Sequence, residues 1–138
     1  MIAVAKTKAT KMGIDNIDFQ VGDGYKLPYE DGSFDVILIF NALHIVKEPK
    51  IILEEAFRLL KKGGCLAAAT DCYAEPVPFK PGVRLLLISI MKLLGLIKYV
   101  SFFQKCQVID LLNESGFKIM EDGILHSAPV NYYVLACK

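Results

Sequence analysis

The spacing of hydrophobic residues along the chain changes repeatedly between the period of a strand and the period of a helix. Residues 17–21 alternate apolar and polar side chains, which is typical of a strand. Residues 34–40 are almost wholly apolar, as in a parallel strand covered on both faces. Helical spacing follows Pro49, which suits the first turn of a helix. The pattern predicts helices over residues 3–12, 49–62 and 101–115, and strands over residues 17–21, 34–40, 65–70, 117–120 and 132–137.

Strands that alternate with helices predict an α/β fold with a mainly parallel sheet. Glycines mark the ends of the predicted helices, at Gly13, at Gly63-Gly64 and at Gly116. In an open parallel sheet, ligands bind beyond the carboxyl ends of the strands. Since Asp23, Asn41 and Asp71 each stand at the end of a predicted strand, we expect all three loops at one rim of the sheet.

Composition narrows the class of protein. The chain has 138 residues and a formal net charge of +1, so it has the length of one domain and no large field of one sign. Hydrophobic residues make up 54% of it, which excludes disorder over most of its length. The weak charge gives nucleic-acid binding no electrostatic support, and we expect no nucleic-acid partner. Four cysteines without a CxxC pair, beside two histidines, predict no metal site and a cytoplasmic protein with free thiols.

Several short motifs occur in a fixed order. They are Gly22-Asp23-Gly24, Leu27-Pro28-Tyr29, Ser33-Phe34-Asp35, Asn41-Ala42-Leu43-His44 and Leu60-Lys61-Lys62-Gly63-Gly64. Their combined order and spacing resembles the class I S-adenosylmethionine-dependent methyltransferases, in the small-molecule branch that includes ubiquinone/menaquinone-biosynthesis-like enzymes. The resemblance is close over residues 1–72 and loose over residues 101–138. It implies a Rossmann-like sheet and S-adenosylmethionine as the cofactor.

The resemblance also implies a set of cofactor-binding residues. Asp23 would accept a hydrogen bond from the adenine amino group, with the Gly24 backbone and Tyr25 flanking the ring. Asn41 and Ala42 would run past the methionine part of the cofactor. Two simpler alternatives stay open: Asp23 as a turn residue between glycines, and Asn41 as a helix N-cap.

His44 is the candidate catalytic residue. It matches a histidine often found after this strand in the family, where it could orient a substrate or act as a general base. The alternative is a structural hydrogen-bond partner in a short helix. Many methyl transfers need only positioning in a desolvated site, so a base is not essential.

The family's domain begins with a strand, a Gly-rich loop, a helix and a strand that ends in an acidic residue. This sequence contains no GxGxG motif, and residues 1–6 match the helix that follows the acidic residue. We therefore expect a truncated methyltransferase sheet that lacks the first two strands and the Gly-rich loop. Lost hydrogen bonds cost on the order of 1 kcal/mol each, so the chain by itself should bind cofactor weakly and show no turnover.

The single partial domain, residues 1–138, divides into a cofactor-side part (1–72), an apolar insertion (76–100) and a C-terminal helix with strands (101–138). Within the insertion, residues 83–100 are strongly apolar, but Arg84 and Lys92 argue against a membrane-spanning helix. The family commonly builds a substrate lid here. A core helix explains the pattern equally well, and a helix lying on a membrane surface is the third alternative.

The function expected from the sequence is methyl transfer from S-adenosylmethionine to a small, apolar acceptor. The alternative is a non-catalytic remnant, or an interaction module that oligomerises and no longer binds cofactor. We also expect a homo-oligomer, because in the family's sheet the strand over residues 34–40 would lie beside the missing strands. Its apolar edge would then be open to another copy.

Overall fold

The computed structural model describes residues 2–72, 101, 103–127 and 130–138, together with residues 86, 89, 90 and 93. Four strands form one sheet in the order β1-β2-β4-β3, and helices lie between them along the chain. The elements are α1 (Ile2–Lys11), β1 (Phe34–Phe40), a 3-10 turn (Leu43–Ile45), α2 (Pro49–Leu59), β2 (Leu60–Cys72), α3 (Lys105–Glu114), β3 (Lys118–Ser127) and β4 (Val130–Cys137).

The α/β fold is confirmed, but the prediction of a mainly parallel sheet is wrong for the described strands. β1 and β2 are parallel, whereas β4 runs antiparallel to both β2 and β3. Only residues 128 and 129 separate β3 from β4. A connection of two residues can join only antiparallel neighbours, because a parallel pair needs a long crossover.

One face of this sheet carries the core. Alternate residues of β4 are buried, from Val130 to Ala136, and they pack with buried residues of β2, α2 and α3. Leu53, Leu66 and Leu112 are completely covered there. The opposite face is more open, since Val36, Leu38 and Phe40 of β1 are each about 60% exposed.

The predicted strand over residues 17–21 does not form. These residues have no strand pairing, and Ile17 and Val21 are 50% and 91% exposed. Alternating polarity gives a segment two faces, but a strand also needs a hydrogen-bonded neighbour. β1, the nearest edge along the chain, pairs only with β2 in the described structure.

The other predicted elements form, and most of them have shifted ends. β1 has the predicted bounds, and Pro49 opens α2 as expected. However, α2 ends at Leu59 and β2 begins at Leu60, so Gly63 and Gly64 belong to a strand rather than to a helix stop. A Cβ on Gly64 would lie 2.9 Å from the Asp35 carbonyl oxygen, so the close approach of β1 requires glycine there.

Most of residues 83–100 lie outside the described part of the chain. Leu86, Ile90 and Leu93 are described, and they are helical with exposed side chains. These three apolar side chains therefore lie at the surface and not in the core. None of the helices in the described ranges has the length and apolar character needed to cross a bilayer.

Cys65 and Cys137 face each other across the β2–β4 pairing and form a disulfide. The prediction of free thiols is therefore wrong for these two, while Cys72 and Cys106 are thiols. Their separation of 72 residues hid the pair from sequence reasoning, because only the strand register brings them together.

We predict that this bond stabilises the fold. It closes a loop of 72 residues, which corresponds to about 4 kcal/mol of loop entropy. Cys65→Ser should lower the melting temperature and abolish its response to dithiothreitol, whereas Cys106→Ser at an exposed position should change neither. Thiol titration of the unreduced, denatured chain should count two thiols. A count of four would show that the bond does not form.

Candidate functional site

Three polar residues meet where β1 and β2 end. Asn41 directly follows β1, and its backbone N–H donates to the Ala69 carbonyl at 2.7 Å. The Asn131 side-chain amide donates to Asn41 Oδ1 at 2.9 Å and to Asp71 Oδ1 at 2.8 Å. The structure therefore brings together two of the three predicted rim residues, Asn41 and Asp71. The residue that joins them is Asn131, which sequence reasoning missed.

Asn41 has a left-handed backbone, with φ at 52°. This conformation is uncommon outside glycine, although asparagine tolerates it better than most residues. The predicted alternative, an N-cap, is wrong, because Ala42 occupies the cap position before the 3-10 turn and makes no side-chain cap bond. The backbone instead turns sharply at the end of β1 and exposes Asn41 at the rim.

His44 lies in the 3-10 turn and is only 7% exposed. Its Nδ1 is 3.0 Å from the Thr70 hydroxyl, which is itself buried. Burial lowers the pKa of His44 below its usual value, and the negative charge of Asp71 partly opposes this shift. The imidazole is therefore neutral at neutral pH, a form that can accept a proton.

Asp23 and Gly24 form a turn rather than the end of a strand. Asp23 Oδ1 accepts the Tyr25 backbone N–H at 3.1 Å, and the Lys26 N–H donates to the Asp23 carbonyl at 3.1 Å. The turn role is thus observed, and it occupies one carboxylate oxygen of an exposed side chain. Gly24 lines an apolar cavity of about 330 Å³ between this loop, β1 and α2.

Tyr25 is fixed by its hydroxyl. The oxygen accepts backbone N–H groups of Lys47 at 3.2 Å and Glu48 at 3.3 Å, immediately before α2. The ring lines an open pocket of about 540 Å³, together with Ile45 and Ile51. The structure therefore places Tyr25 beside the segment that follows His44, although 22 residues separate it from Lys47.

The loop that carries Asp23 is fastened to α2 by Glu55 and Arg58. Glu55 Oε1 accepts the Leu27 backbone N–H at 2.8 Å, and both carboxylate oxygens bind Arg58. Arg58 also reaches the Tyr29 carbonyl and the Asp31 carboxylate. We call this pair the Glu55–Arg58 clamp. The helical spacing of three residues between its members was the only sequence signal for it.

The described sheet, its intervening helices and the polar residues at its strand ends are typical of a Rossmann-like protein. Comparison with known proteins makes the class specific. Residues 1–68 match the family model described as a methyltransferase domain. The chain is 33% identical over 95 residues to a demethylmenaquinone methyltransferase of Lactococcus lactis subsp. lactis, which covers 69% of this chain and 38% of the relative. A similar enzyme of Bacillus pumilus is 32% identical over 95 residues, 69% of this chain and 41% of the relative.

Solved structures share the fold. A S-adenosylmethionine-dependent methyltransferase from Aquifex aeolicus superposes with a TM-score of 0.71 at 20% identity, over 99% of this chain and 62% of the other. The [4+2]-cyclase SpnF gives a TM-score of 0.78 at 19% identity, with the same coverage of 99% and 62%. The chain belongs to the class I S-adenosylmethionine-dependent methyltransferases, whose cofactor is S-adenosylmethionine. It spans about two fifths of the length of the curated relatives it matches.

The clamp gives a prediction on pH dependence. Hydrogen bonds from Arg58, and then from the Leu27 amide, lower the pKa of Glu55 from 4.5 to about 2. Because folding lowers this pKa, ionised Glu55 stabilises the folded state. This stabilisation is complete above pH 4.5 and is lost as the pH falls towards 2.

Glu55→Gln should therefore lower the melting temperature by a few degrees near neutral pH, with the difference from wild type shrinking as the pH approaches 2. Glu54→Gln, on the exposed side of the same helix turn, is the matched control and should follow the wild-type curve. Melting curves across this pH range provide the measurement. A constant offset between Glu55→Gln and wild type would contradict the ionic role.

Proposed function

We propose that the chain binds S-adenosylmethionine at the rim formed by the ends of β1 and β2, and serves methyl transfer to a small, apolar acceptor. The observation that carries this proposal is the polar cluster of Asn41, Asp71 and Asn131 at the strand ends of a methyltransferase-family sheet. In open α/β sheets, ligands bind at this edge. The named function of the relatives, demethylmenaquinone methyltransferase, favours an acceptor of this small and apolar kind.

The side chains present suit the adenosine and methionine parts of the cofactor. Bound S-adenosylmethionine supplies a methyl group on a positively charged sulfur. Asp23, held in its turn through Oδ1, offers its second carboxylate oxygen to the adenine amino group. Gly24 and the fixed Tyr25 ring flank the base, while Asn41 and Ala42 contact the methionine part.

His44 is proposed to act on the acceptor. Thr70 holds its ring, and burial keeps the imidazole neutral, so it can orient an acceptor or take a proton from it. The exposed apolar surface of Leu86, Ile90 and Leu93 is suited to a lid over such an acceptor.

A second function, self-association, is favoured by the open edge of β1. Val36, Leu38 and Phe40 expose about 60% of their surface on this edge strand. A long apolar edge strand is a template for pairing with another chain. Its only irregularity lies between Phe34 and Val36, at its start. We infer that two copies pair through β1 or exchange their N-terminal segments about a two-fold axis.

The opposite edge of the sheet differs in ways that blunt association. β3 has register shifts between Ile119 and Glu121 and between Ile124 and His126. Its exposed residues include the charged Glu121 and Asp122. Bulges and charges of this kind protect an edge strand, so β1 is the edge expected to pair.

For the cofactor site, we predict that Asp23→Asn weakens binding of S-adenosylmethionine by about tenfold, the loss of one hydrogen bond to a charged group. Binding to the chain alone should be weaker than micromolar, and NMR titration is suited to that range. Asp15→Asn, at an exposed position nearby, is the control and should leave the affinity unchanged. Equal affinities of the Asp23 variant and wild type would remove Asp23 from the site.

For self-association, we predict a dimer by sedimentation equilibrium at micromolar concentration. Leu38→Lys should shift it to monomer, because a lysine on an edge strand opposes pairing with another chain. Leu125→Lys on β3 is the matched control: Leu125 is 64% exposed against 61% for Leu38, and the variant should remain dimeric. A monomeric wild-type chain with a cooperative melt would rule out this second function.

A further inference from the structure

Asn131 stands apart from the other rim residues because it contacts two of them at once. Its side-chain nitrogen donates to Asn41 at 2.9 Å and to Asp71 at 2.8 Å. It lies directly opposite Asp71 in the β2–β4 register, whereas Asn41 is 90 residues away along the chain. Strand β4 lies outside residues 1–68, the part of the chain that matches the family model. It therefore contributes to the rim through the Asn131 side chain.

The chemistry of the cluster fixes which way each amide points. An ionised carboxylate only accepts hydrogen bonds, so Asn131 must turn its NH2 group, and not its oxygen, towards Asp71. The same NH2 group also faces Asn41, and its two hydrogens serve the two neighbours. Asn41 must then present its oxygen to Asn131, which turns the Asn41 NH2 group away from the cluster.

We propose that Asn131 is a positioning residue that holds Asn41 with its NH2 group facing the ligand. Asn41 is exposed at the rim and has a left-handed backbone, and within the described residues its side chain accepts a hydrogen bond from Asn131. Held in this way, it offers hydrogen-bond donors to an oxygen of the ligand, such as the cofactor carboxylate. This inference rests on the proposed cofactor site for its ligand, whereas the orientation itself depends only on the cluster.

Exchanging the side chains at positions 71 and 131 tests the orientation of the Asn41 amide. Asn131→Asp alone removes the donor and sets two carboxylates side by side, so the melting temperature should fall. Adding Asp71→Asn restores a donor and an acceptor between the same two positions, and the melting temperature should recover. In this double variant the residue at 131 can only accept, so Asn41 must turn its NH2 group inwards. Asn113→Asp, at an exposed position of α3, is the control for the loss of an amide.

Two measurements distinguish a positioning role of Asn131 from a purely structural one. Water exchange of the Asn41 side-chain amide, measured by NMR, should slow in the double variant because the NH2 group is then hydrogen-bonded within the cluster. Titration with S-adenosylhomocysteine should show about tenfold weaker binding than wild type, despite recovered stability. A purely structural Asn131 would restore stability and affinity together.

Each remaining outcome has a defined meaning. A double variant that leaves the Asn41 exchange unchanged overturns the proposal that Asn131 sets this orientation. Recovered stability with slowed exchange and wild-type affinity overturns the ligand-facing role. If the wild-type chain binds no S-adenosylhomocysteine, the proposed cofactor site fails, while the exchange measurement still decides the orientation.

Discussion

The register of β2 is the constraint on which the rest of the structure depends. This strand pairs with β1 in parallel along one side and with β4 in antiparallel along the other. The same β2–β4 alignment sets Cys65 against Cys137 at one end and Asp71 against Asn131 at the other. A slip by one residue would move every side chain of the strand to the opposite face. The buried face of β2 is completely covered at Leu66, so such a slip would expose core residues.

The two polar groups at the rim lie on opposite faces of the sheet. Thr70 is buried on the face covered by α2 and α3, and it holds His44 there. Asp71, the next residue, faces the open side with Asn131. Alternation along one strand thus separates a dehydrated, neutral imidazole from an exposed set of hydrogen-bond donors and acceptors.

The sequence predicts the parts of this fold that depend on local chemistry. A continuous apolar run gave β1 its correct bounds, and a proline placed the start of α2, because both signals lie within the element itself. The segment 17–21 carried an equally clear pattern, yet its strand depended on a partner that the described sheet does not supply. The direction of β4 likewise depended on the two-residue connection from β3 and not on its own apolar residues.

The residues of the candidate site were likewise predictable only where the signal was local. Asn41 and Asp71 could be found as strand-end residues, whereas Asn131 is 90 and 60 residues away from them and begins a strand rather than ending one. An antiparallel strand brings its amino end to the rim where parallel strands bring their carboxyl ends, so a search for polar residues after strands passes over it.

The fold alone therefore does not decide the function. A [4+2]-cyclase and a S-adenosylmethionine-dependent methyltransferase both superpose on nearly the whole chain. In this chain the rim is assembled from three sources: the end of β1, the end of β2 and the start of β4. The loop of Asp23 is held separately, because Glu55 and Arg58 fasten it to α2. The polar side chains at the rim thus come from separate segments but share one hydrogen-bonded cluster, so a substitution in one segment is expected to alter how the others present their side chains.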